Sequence, residues 1–100
     1  MRYLTITADY LGTGVKEDFT GTVDIKVLAL PDEIAQRLAS WVASYQPIIS
    51  LDESDRSLRA EEIERLDQQG LAVARDIKSY FGENAKVKYY SEGKLQRLPL

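Results

Sequence analysis

The sequence predicts an α+β protein: a two-layer sandwich with two helices on one face of an antiparallel or mixed sheet of three to four strands. The element order is ββααβ, with a further short strand possible at the end. Three observations carry this. Two segments near the N-terminus alternate apolar and polar residues, the middle of the chain switches to spacings of three and four, and a tyrosine-containing segment near the C-terminus alternates again. The 100 residues suit a single domain spanning 1–100, and 44% hydrophobic residues supply enough apolar surface for a core without metal or disulfide staples.

Taken in order, Tyr3 to Tyr10 places Leu4, Ile6, Ala8 and Tyr10 on one side and Thr5, Thr7 and Asp9 on the other, which is a strand half buried in a core. Residues Leu11 to Asp18, with Gly12 and Gly14 and a charged tail, break the alternation and predict a surface loop. Phe19 to Leu28 alternates again and is expected to return as the second arm of an antiparallel hairpin. From Leu30 to Gln46 the period becomes helical. Pro31 suits the first helical position, Asp32 and Glu33 complement the helix dipole, and Ile34, Leu38, Trp41, Val42 and Tyr45 form one stripe. Pro47 is expected to end this helix, and Ile48, Ile49 and Leu51 to form an apolar connector.

The segment Ser57 to Gly82 is the longest helical pattern. Ile63, Leu66, Gly70, Val73, Ile77 and Tyr80 recur at alternating spacings of three and four, Ser57 is the expected N-cap, and Gly82 the expected terminator. Gly70 on the apolar stripe costs up to about 1 kcal/mol relative to alanine, which close approach of a neighbouring element would offset. Lys86 to Ser91 reads as the third strand, Glu92-Gly93 as a tight turn, and Lys94 to Leu98 as a short fourth strand before Pro99.

Composition excludes several chemistries. The chain has no cysteine and no histidine, so disulfides, thiolate nucleophiles, sulfur-ligated metals and imidazole acid–base catalysis are closed to it. A reducing cytoplasm fits. The net charge of −3 argues against binding a phosphate backbone, and no apolar run long enough for a membrane span or an export signal is visible.

Candidate motifs are each outweighed by a plainer account. Gly12-Thr13-Gly14-Val15-Lys16 lacks the glycine spacing and following helix of a phosphate loop, and Glu17 and Asp18 stand where an anion would go, so it reads as a hairpin loop. Asp52, Glu53 and Asp55 suggest calcium, but Arg56 and Ile63 fall where an EF-hand needs oxygen ligands. Glu61, Glu62 and Glu64 satisfy the residue types of carboxylate catalysis, yet they crowd one helical turn that faces water. Lys86, Lys88 and Tyr90 offer stacking and charge to a single nucleic-acid strand, a small patch in an acidic chain. Trp41, Tyr45, Tyr80 and Tyr89 read as core.

Charge distribution is more informative. Between Asp52 and Asp67 the chain holds seven acids against three bases. One account is a solvated helix face. The sharper one is a docking surface for a basic protein, since clustered carboxylates speed encounter with Lys and Arg. Its candidate contacts are Asp52, Glu53, Asp55, Glu61, Glu62, Glu64 and Asp67.

A compact acidic chain of this size without His, Cys or an export signal, carrying the runs YLTITADY, LDESDRSLRAEEIERLD and KVKYYSEG, resembles the small cytoplasmic immunity proteins of bacterial toxin systems, including contact-dependent growth inhibition. The resemblance is one of type across the whole chain, and no family residue transfers to a position here. It implies a non-enzymatic inhibitor, free of cofactors and metals, that neutralises a basic, nuclease-like toxin and binds neither nucleic acid nor membrane. The alternative is a small structural or regulatory module that acts as a homodimer through a sheet edge or Trp41.

Overall fold

The computed structural model describes residues 1–10, 12–18, 21–22 and 24–100. It is an α+β protein, as the periodicities predict. The elements are β1 (Arg2–Ile6), β2 (Val15–Glu17), β3 (Gly21–Thr22), α1 (Ile25–Leu28), α2 (Asp32–Ile49), α3 (Glu53–Ser57), α4 (Ala60–Phe81), β4 (Ala85–Ser91) and β5 (Gln96–Leu98). The sheet has the order β3-β2-β1-β4-β5. It is mixed: β1 runs parallel to β4, with Leu4 opposite Val87, and the other pairs are antiparallel.

The buried face of the sheet follows the alternation. Leu4 and Ile6 from β1, Val15 from β2, and Ala85, Val87 and Tyr89 from β4 pack beneath Leu38, Trp41, Tyr45 and Ile48 of α2 and Ile63, Leu66, Val73 and Ile77 of α4. Lys88 and Tyr90 point the other way and are half-buried. Lys94, expected to open the fourth strand, instead lies in the turn before β5 and bonds Glu64 at 2.6 Å.

The hairpin forms, but its second arm lies at Val15–Glu17, inside the predicted loop. Gly14 makes this possible. Its φ of +96° is open to glycine, its carbonyl accepts from Thr7 N–H at 3.0 Å, and a Cβ there would lie 2.7 Å from Leu38 Cδ1. The expected strand over Phe19 to Leu28 is not formed as such. Phe19, Thr20 and Val23 lie outside the described residues, as does Leu11 of the predicted loop, and 25–28 is the short helix α1. Asp24 is the cause: its side chain accepts from Lys26 N–H at 2.9 Å and caps the helical turn, a local bond that competes with strand pairing. Val27 is consequently 62% exposed.

Pro47 does not end α2, which continues to Ile49. Pro47 and Ala43, whose carbonyl loses its helical donor, lie on the exposed side, while burial of Ile48 holds the last turn against the core. Ser57 is not the cap of the long helix either. It closes α3, with its hydroxyl donating to Glu53 O at 3.1 Å, and α4 starts after Arg59. Tyr80 is 47% exposed and reaches the Ala29 carbonyl at 2.9 Å instead of the core.

Gly70 has the expected compensation. A Cβ at this position would stand 2.6 Å from both Trp41 Cζ2 and Tyr89 Cε2, so α4 approaches α2 and β4 at a point where only hydrogen fits. Trp41 is fixed there by its indole N–H, which donates to Leu66 O at 2.8 Å.

Candidate functional site

The acidic stretch folds as two helices joined by a bend. Asp52 caps α3, its carboxylate accepting from Asp55 N–H at 2.8 Å. Leu58 ends α3, and the Arg59 carbonyl accepts from Ile63 N–H at 2.9 Å to begin α4. Glu53, Asp55 and Glu61 are exposed. Among the described residues none of these three carboxylates forms an ion pair. Glu62 is half-buried and takes Arg59 at 2.9 Å, and Glu64 takes Lys94 and accepts from Gln68 at 3.1 Å. The Lys94 ammonium holds the Glu64 carboxyl below the usual carboxylate range.

Asp67 departs from the expectation of a surface acid. It is fully buried, on the stripe between Ile63 and Gly70, and its oxygens accept from Tyr89 OH at 2.6 Å, Tyr45 OH at 2.9 Å and Ser91 Oγ at 2.8 Å. It therefore offers nothing to a partner. It anchors instead. Tyr45 OH also accepts from Gly93 N–H at 2.9 Å, and Ser91 Oγ from Lys94 N–H at 3.0 Å, so the turn between β4 and β5 hangs from the buried carboxylate. Burial pushes the Tyr45 hydroxyl up to about 12, and burial together with the Asp67 carboxylate drives Tyr89 up as well.

Arg56 ties the same region together from outside. Its guanidinium donates to Glu92 O at 2.8 Å and Ile49 O at 3.2 Å, joining the end of α2, α3 and the β4–β5 turn. Beside it lies a cleft of 640 Å³ lined by Leu51, Ala60, Ile63 and Leu95, with Glu53 and Lys94 among its polar residues. A neighbouring hollow shares Ser57 and Ala60 and is walled by Leu58. Leu58 is 84% exposed and Leu95 62%. Neither leucine, nor Arg56, stands out in the sequence, because exposure at a helix junction and a turn has no periodic signature.

The structure thus brings Asp52, Glu53, Asp55, Glu61, Glu62 and Glu64 to one end of the helical layer and withdraws Asp67 into the core. Among the described residues no group of three His, Cys, Asp or Glu is placed to hold a metal ion, and no helix is long and apolar enough to cross a membrane.

The fold is α+β, and its helical layer ends in a charged surface that exposes Leu58. Over residues 3–92 the chain matches the model of a family described as Serratia CdiI immunity protein-like, and it belongs to that family. Membership supports an inhibitor or immunity role, with a cognate toxin as the partner. No curated protein matches the chain.

Proposed function

We propose that this chain is a cytoplasmic, non-catalytic immunity protein that neutralises a basic, nuclease-like toxin domain through the acidic surface of α3 and the first turns of α4. The observation that carries the reading is the set of three exposed carboxylates, Glu53, Asp55 and Glu61, that form no ion pair among the described residues. Asp52, Glu62 and Glu64 lie behind them and add to the field, although Arg56, Arg59, Arg65 and Lys94 offset part of it. An excess of acids at a helix end attracts Lys and Arg across a distance of about one Debye length, roughly 8 Å at physiological salt. The acidic surface would act on the toxin protein alone, with no nucleic acid, membrane or cofactor in the complex.

The test is association of the purified chain with the toxin domain encoded beside it, followed across ionic strength. The expected result is a rate that falls steeply as salt rises, and that falls again in the Glu53→Gln/Asp55→Asn/Glu61→Gln variant at low salt. A rate indifferent to both would refute the acidic-surface mechanism.

A further inference from the structure

Helix α3 is tied to the rest of the molecule by one side chain. None of its five residues is buried, and Leu58, which ends it, is 84% exposed and supplies no apolar staple. Its own hydrogen bonds are local. The Asp52 carboxylate accepts from Asp55 N–H, the Asp52 carbonyl from Arg56 N–H at 3.0 Å, and the Glu53 carbonyl from the Ser57 hydroxyl, so all three would travel with the helix. Arg56 alone reaches out, to Glu92 O and Ile49 O, and among the described residues no carboxylate pairs with it.

This tether is itself incomplete. Arg56 Nε is buried and meets no acceptor, and an N–H left unpaired in that way offsets part of what the other two bonds contribute. Nor does α3 lie on a packed seam. The 640 Å³ cleft is bounded by Glu53, Arg56 and Ser57 on α3 and by Gly93, Lys94 and Leu95 of the turn, so open space takes up much of the distance between them. The flanking residues Ser50, Asp52, Leu58, Arg59 and Ala60 are exposed, which lets the chain bend there without disturbing the core. The β4–β5 turn does not depend on α3, because its Gly93 and Lys94 amides are bonded to Tyr45 and Ser91 of the Asp67 network.

We propose that α3 is a strap that swings off the body as a unit, with Arg56 as its latch, while α4 and the β4–β5 turn stay folded. The acidic surface is thereby divided into a movable part and a fixed part. Glu53 and Asp55 ride on the strap, and Glu61 on the first turn of α4. Their separation adjusts to the cations of a partner, and a partner that engages both parts holds the strap closed. That consequence rests on the proposed function, whereas the swing belongs to the free chain.

The experiment is native-state hydrogen exchange of the full chain, read residue by residue and corrected for intrinsic rates, in the parent, Arg56→Gln and Arg56→Lys. In the parent the Asp55 and Arg56 amides are expected to exchange at least about 100-fold faster than those of Leu66 to Ile77 in α4. Their rates should be indifferent to low urea, because a swing of one short helix exposes little surface. Arg56→Gln is expected to speed the α3 amides about tenfold and to leave those of Gly93 and Lys94 unchanged. Arg56→Lys, which keeps the charge but cannot span two carbonyls, should fall between. If the α3 amides exchange at the rate of α4 with the same urea dependence, they open only by global unfolding and there is no strap. If Arg56→Gln leaves them unchanged, Arg56 is not the latch. If it speeds Gly93 and Lys94 equally, Arg56 clamps the whole end and α3 does not move alone. Adding the adjacent-gene toxin domain to the parent should slow the α3 amides at least about tenfold. A complex that forms without slowing them overturns closure on the partner; absence of any complex overturns the proposed function and leaves the swing measured in the free chain standing.

Discussion

Removing the buried carboxylate of Asp67 is the most direct perturbation of this fold. Asp67→Ala takes the acceptor from three buried hydroxyls, those of Tyr45, Tyr89 and Ser91. A hydrogen bond to a charged group contributes about 1.5–3 kcal/mol, so three would suggest roughly 4.5–9 kcal/mol if they simply added. They do not add, because the carboxylate itself was costly to bury, and truncating one member of a buried ionic network costs about 3–5 kcal/mol in practice. At about 4–8 °C per kcal/mol for a chain of this length, the melting temperature should fall by at least about 12 °C. Asp67→Asn keeps the shape and one acceptor oxygen but presents an amide N–H₂ where Ser91 Oγ donated, so about 2 kcal/mol is expected. The assay is urea unfolding followed by Trp41 fluorescence, with Tyr89→Phe completing a double-mutant cycle. The single variants and the double should be non-additive by at least about 1 kcal/mol. An Asp67→Ala cost below about 1 kcal/mol, or a coupling near zero, would refute the claim that this network holds the turn to the core.

Three further outcomes follow from the same geometry. Gly70→Ala should destabilise by about 1–3 kcal/mol in urea unfolding despite alanine's better helix propensity, because the new methyl meets Trp41 and Tyr89 at 2.6 Å. Alkaline pH should unfold the protein: an unfolded tyrosine titrates near 10, whereas Tyr45 is held up to about 12, so between those values the unfolded state releases a proton that the folded state keeps. Stability contributed by Tyr45 is complete below pH 10 and falls by about 1.4 kcal/mol per pH unit above it, more steeply with Tyr89 included; thermal melts against pH, with tyrosinate absorbance as the second probe, read this directly. Leu95→Gly should raise the melting temperature by several degrees, since Leu95 adopts a φ of +55° that costs a side-chain-bearing residue about 1 kcal/mol.

The parts of this fold that repeat were legible in the sequence, and the parts that depend on one local bond were not. Leu4 and Ile6, Val87 and Tyr89, and the stripe through Ile63, Leu66, Val73 and Ile77 all lie where periodicity put them. The strand expected over Phe19 to Leu28 went astray because a single Asp24 cap turns 25–28 into a helical turn, while alternation over Ile25 and Val27 satisfies both readings for so short a run. Pro47 misleads for a related reason. The rule that a proline ends a helix weighs one lost hydrogen bond, and here burial of Ile48 outweighs it on a side where Ala43 faces water. At the site, six of the seven acids do cluster at one end, yet Leu58, Leu95 and Arg56 acquire their meaning only when α3 folds against the β4–β5 turn, a contact between residues nearly forty positions apart in the chain.

Asp67 shows how one residue type divides between scaffold and surface along a single helix. Counting from Ile63, a carboxylate four positions on lies on the buried stripe, whereas Glu61, Glu64 and Arg65 lie off it and face outward. The period was visible; what decides the fate of the carboxylate is whether donors meet it, and these come from α2 and β4. Tyr45, Tyr89 and Ser91 supply three hydroxyls at a depth where an unpaired acid would not be tolerated. The consequence reaches the surface. Because the Tyr45 and Ser91 hydroxyls also accept from the amides of Gly93 and Lys94, the buried charge that touches no partner sets the position of the β4–β5 turn, and with it the surface where Leu95 and Glu53 stand.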